Sequence, residues 1–107
     1  MTEPGDLRGE ALLDHLRVIF HETALHKLLG LHFSETDEPG VVRVEMPVRA
    51  EAFNASGNLH GGAIATLVDV AAGSCAARAS GFDPLTQSLV TADLHVRYLE
   101  RAEQESA

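Results

Sequence analysis

Apolar and polar residues along this chain switch between helical and strand periodicity, and the switches divide it into elements. From residue 6 to 20, Leu12, Leu16, Ile19 and Phe20 recur at helical spacing, with Asp6 at the N-cap position. This pattern predicts an amphipathic helix. A second, shorter helix is expected over 22–29, because Gly30 suits the residue that follows a helix. Leu31 to Thr36 reads as a strand and Glu38-Pro39-Gly40 as a turn. Val41 to Arg49 then alternates. Val42, Val44, Met46 and Val48 share one face, and Arg43, Glu45, Pro47 and Arg49 the other. The two strands are expected to form an antiparallel hairpin, with Pro47 near an edge.

Residues 50–60 read as a loop, and 61–79 as the longest helix. That helix is rich in alanine and glycine, and its apolar stripe is predicted to be Ile64, Leu67, Val68, Ala71 and Cys75. Such a helix can be wrapped closely by a curved sheet. Gly81 and Pro84 end it. Leu89 to Leu99 has the period of a long strand. Val90, Ala92, Leu94, Val96 and Tyr98 face one way, and Thr91, Asp93, His95 and Arg97 the other. The polar end, 100–107, is expected to fray.

At 107 residues the chain reads as one α+β domain, 1–107, with 1–21 as an N-terminal helical extension. Apolar residues make up 45% and charged residues 22%, as in an ordinary globular protein. The net charge of −8, without a Lys/Arg cluster, argues against nucleic acid as a partner. No apolar run reaches membrane-spanning length, and the start of the chain is unlike a signal peptide. A single cysteine, Cys75, fits a reducing cytoplasm and is expected to be a small buried hydrophobe. His21, His26 and His32 lack a tight ligand spacing, so packing or surface roles are expected.

Candidate chemistry concentrates between Asn54 and Asp69. His60-Gly61-Gly62 opens the long helix, where the first N–H groups lack intrahelical partners and the helix dipole makes them electropositive. Without a Cβ in the way, such donors suit a developing oxyanion; the glycines equally suit a tight loop-to-helix turn. Asp69 has Ala65, Thr66, Ala72 and Gly73 as its helical neighbours, so no local base pairs with it. It suits a general base in a partly apolar site, or simply a solvent-facing position. Asn54 and Thr91 fit a turn and a strand by propensity alone. Asp93 and His95 share a strand face, but two ligands do not make a metal site.

Taken together, Asn54-x-x-Gly57-x-Leu59-His60-Gly61-Gly62-x-x-x-x-Leu67-x-Asp69 and Val96-Arg97-Tyr98-Leu99 resemble the hotdog-fold acyl-CoA thioesterases of the phenylacetate-degradation type. Leu29-Gly30-Leu31 and the alternating strand at 41–49 match too, so the resemblance spans roughly 25–102. It implies a hotdog fold, a long central helix wrapped by an antiparallel sheet, assembled as a homodimer or homotetramer with sites between subunits. It implies that Asp69 is the general base or nucleophile, and that the Gly61 N–H polarises the thioester carbonyl. Asn54 would position water and Thr91 would assist. His60 and Gly62 would line the substrate, and Arg97 or Arg101 would contact CoA phosphates. No metal or redox cofactor is implied; CoA is the carrier part of the substrate. Members of that family continue through further strands after the Arg-Tyr-Leu strand, whereas this sequence reaches Glu100-Arg101-Ala102 and then Ala107. A shortened member is therefore expected. The alternatives are a non-catalytic module that binds acyl-CoA or only assembles, and a hotdog hydratase or dehydratase.

Overall fold

The computed structural model describes residues 9–80 and 87–100, with side chains from residue 14 onward. Asp6, Gly81, Pro84, Arg101 and the Leu12 side chain lie outside the described residues. Two helices come first, α1 (Gly9–Glu22) and α2 (Ala24–Leu29). They are separated at Thr23, whose extended backbone breaks the helix while its N–H and hydroxyl both donate to the Ile19 carbonyl. Gly30 ends α2. Its φ of 70° lets its N–H reach Lys27 O while the Leu31 N–H reaches His26 O, the Schellman arrangement. A Cβ at Gly30 would also lie 2.9 Å from Pro47 Cγ and would push the flexible end of Arg49 aside.

Strands β1 (His32–Glu35) and β2 (Val42–Glu45) pair antiparallel, with Phe33 opposite Val44. β2 stops two residues before Pro47, shorter than the alternation to Arg49 suggests; proline cannot donate to a ladder. A 3₁₀ turn (Ala50–Ala52) follows, then the helix α3 (Gly61–Ser80). The core is small. Phe20, Leu29, Leu31, Phe33, Ala52 and Ala63 are buried together, and Val42, Val44, Met46, Leu59, Leu67 and Val70 pack against them. It holds α1, α2 and the hairpin on one side of α3, giving a mixed α+β arrangement.

Three expectations are corrected. The face of α3 turned to the core is Ala63, Leu67, Val70 and Ala77, rotated from the predicted stripe; Val68 and Cys75 are exposed. Alanines line both faces of this helix, so apolarity alone fixes its rotation poorly. Ile19 is 44% exposed rather than buried with Phe20. Residues 87–99 form no strand among the described residues. Thr91 and Tyr98, of opposite parity, both reach α3, so the predicted two-faced alternation is not kept.

The histidines take packing roles. His21 Nδ1–H donates to Arg17 O at 2.9 Å, and the Phe33 N–H donates to its Nε2 at 3.2 Å. Oxygen can only accept and an amide can only donate, so these bonds select the neutral Nδ1–H tautomer. That ring bolts α1 to β1. His26 Nδ1–H donates to Phe20 O, and its ring packs on Phe20 with centroids 4.4 Å apart.

Candidate active site

The loop before α3 is built around Asn54. Its Oδ1 accepts the N–H groups of Ser56 and Asn58, at 3.0 and 3.1 Å. Its own N–H donates to Asn58 O, and Gly57 takes a φ of 80° to close the turn. The Phe53–Leu59 bridge and the His60 N–H bond to Ala52 O, 2.7 Å, then deliver His60 to the start of the helix. The side-chain oxygen of Asn54 is thus engaged in the loop, which leaves its amide NH₂ as the group available for other work.

His60 caps α3. Its Nδ1 accepts the Gly62 N–H at 2.8 Å, as an Asn or Ser cap does in other helices. The Gly62 donor is therefore taken. The Gly61 N–H has no hydrogen-bond partner among the described residues. Of the two glycines, only Gly61 presents an open donor at the positive end of the helix.

Tyr98 was not foreseen as part of this region. Its hydroxyl donates to Gly61 O at 2.7 Å, and its ring lies 3.7 Å from where a Gly61 Cβ would be. The contact fixes the peptide plane that follows Gly61. No local pattern announces it, because the partners are 37 residues apart.

Eight residues further along α3 is Asp69, half-buried. Thr91 Oγ1–H donates to Asp69 Oδ1 at 2.6 Å, a short charge-assisted bond that orients the carboxylate. Asp69 and Thr91 both line a cavity of about 640 Å³, within the range of small-molecule sites. Its walls come from α1, α2, β1, α3 and the 87–94 segment. Arg97 is exposed.

The sequence-predicted groups thus fall into two clusters, Asp69 with Thr91 and Gly61 with His60, the second joined by Tyr98. Eight residues at the helical rise separate them by roughly 12 Å along the axis. Within one chain they do not meet around a single carbonyl.

Residues 56–106, just under half of the chain, match the model of the thioesterase superfamily. That stretch contains both clusters, so the segment that carries them is similar to the thioesterase superfamily, whose fold is the hotdog. It leaves out Asn54, α1, α2 and the hairpin. Searches of curated proteins and of solved structures return no match.

Proposed function

We propose that this protein is an acyl-CoA thioesterase, of the phenylacetate-degradation type of the hotdog fold, that works as a homo-oligomer. The observation that carries this reading is the Asp69 carboxylate, held by Thr91 on the wall of a largely apolar cavity. In this mechanism Asp69 takes a proton from water as the water attacks the thioester carbonyl. The carbonyl oxygen gains charge and accepts the open Gly61 N–H, a contact of the oxyanion type worth about 3–4 kcal/mol in a transition state. The C–S bond then breaks, giving a carboxylic acid and free CoA. Direct attack by Asp69, through an anhydride, is the variant.

The 12 Å between the clusters supports assembly across subunits, with Asp69 of one chain facing Gly61 of a second. The exposed Leu89, Val90, Leu94 and Leu99 supply apolar surface for that contact. In this reading His60 shapes the donor loop, and the Asn54 NH₂ holds the water. Gly62 contributes closeness rather than a donor. Arg97 and Arg101 are the residues this reading assigns to contact with the CoA phosphates.

Purified protein is expected to release free CoA from acyl-CoA, and Asp69→Asn to lower the rate by roughly 10²–10⁴-fold with the fold intact. A variant as active as the wild type would sink the mechanism. The second reading, an acyl-CoA-binding module without turnover, draws on the same separation of the two clusters. Binding by calorimetry without release of CoA would select it.

A further inference from the structure

We propose that Gly73 sets the length of the acyl group, and that the substrates are thioesters with uncharged apolar acyl chains longer than acetyl. This rests on the reading of Asp69 as the group at the reacting carbonyl. Asp69 is the first residue of α3 on the cavity wall, and the wall then follows the helix toward its C-terminal end through Gly73 and Ala77. Gly73 lies one turn beyond Asp69 on the same face, about 6 Å along the axis, and Ala77 one turn further. An acyl chain whose carbonyl sits at Asp69 and that follows this wall therefore runs over Gly73 toward Ala77.

Glycine at position 73 has no local cause. Its φ is not positive, and a Cβ built there meets nothing within 4 Å. In a helix interior it costs about 1 kcal/mol relative to alanine. Gly30, by contrast, is required by its φ, with Pro47 crowding the same position. What Gly73 contributes is room, and that room lies in the cavity. The chemistry of the wall narrows the class. Asp69 and Asp93 both line the cavity, and Arg78, which lines it too, is already paired with Glu35 at 2.6 Å, so an acyl chain ending in a carboxylate would meet two acids and a cation that is already neutralised.

The test compares the full-length wild type with Gly73→Leu on acetyl-, hexanoyl- and decanoyl-CoA. Calorimetric binding of the matching non-hydrolysable CoA thioethers runs in parallel. Leucine improves helix propensity at this position, and circular dichroism checks that the fold is kept. The wild type is expected to favour the longer chains. Gly73→Leu is expected to lower the decanoyl-to-acetyl ratio of kcat/KM, and of thioether affinity, by roughly tenfold or more. Equal effects on all three lengths would overturn the inference while leaving thioester hydrolysis standing. Length-selective binding that Gly73→Leu abolishes, without any CoA release, would keep the inference and sink the hydrolysis. Neither binding nor turnover would overturn both.

Discussion

The hairpin with its two leading helices and the 87–99 segment sit beside the same long helix but are held in different ways. The first region closes on itself. Phe20, Leu29, Leu31 and Phe33 are buried, β1 and β2 satisfy each other, and His21 joins α1 to β1 through both ring nitrogens. The second region forms no ladder among the described residues and meets α3 through hydroxyl bonds from Thr91 and Tyr98. Val90 and Leu99 are 81% and 83% exposed. Stability therefore resides in the first region, whereas the groups proposed for chemistry are oriented by the second. The segment that orients the groups proposed for catalysis thus also leaves apolar side chains in water.

The sharpest way to break this comparison is Phe33→Ala. Phe33 is buried against Phe20 and faces Val44 across the hairpin. Its truncation is expected to cost about 3–5 kcal/mol, read from denaturant unfolding. A cost below about 1 kcal/mol would mean that the hairpin region is not where the stability lies.

Gly30→Ala comes next. The left-handed backbone costs a non-glycine residue about 1–2 kcal/mol, and the crowding by Arg49 and Pro47 adds to it. A loss of about 2 kcal/mol is expected. Gly73→Ala supplies the contrast in sign, since an open helical position is expected to gain up to about 1 kcal/mol. Should both changes move stability in the same direction, the distinction between a structural and a space-making glycine would fail.

These residues also show how far the sequence was legible. Gly30 and the hairpin could be read because their determinants are local: a helix stop, a turn and an alternation within a few residues. The extent of α3 was readable as well, but its rotation was not, because alanines on both faces blur the stripe. Cys75 and Val68, apolar by type, therefore face outward against the expected stripe. The alternation at 89–99 is real in the sequence. Pairing, however, depends on what lies alongside, and period two carries no information about that. Within the site, Asp69 and the glycine pair stood out by type and spacing. Their partners did not, because Thr91 lies 22 residues from Asp69 and Tyr98 lies 37 from Gly61, each joined through a single hydroxyl.

Tyr98→Phe removes one of those hydroxyls and keeps the ring on Gly61. The net loss of one hydrogen bond is expected to cost about 1 kcal/mol of stability. If Gly61 is the oxyanion donor, the rate of CoA release falls by more than that stability change explains, because the peptide that adjoins the donor is no longer held. Activity unchanged alongside lowered stability would confine Tyr98 to a structural role.

The smallest expected effect discriminates most finely. Val90 touches little in the single chain, so Val90→Ala should change the stability of dilute monomer by no more than about 0.5 kcal/mol. If a second copy covers the 87–99 segment, the apolar area lost from Val90 is lost from the interface instead. Binding to the folded state stabilises it by mass action, so the gap between wild type and variant should then widen as protein concentration rises. Thermal melts over a hundredfold range of concentration, with solution mass measured alongside, read this directly. A gap that stays constant while the mass remains that of a monomer would show that the segment lives in water. The two clusters, about 12 Å apart on one helix, would then have no second chain to bring them together.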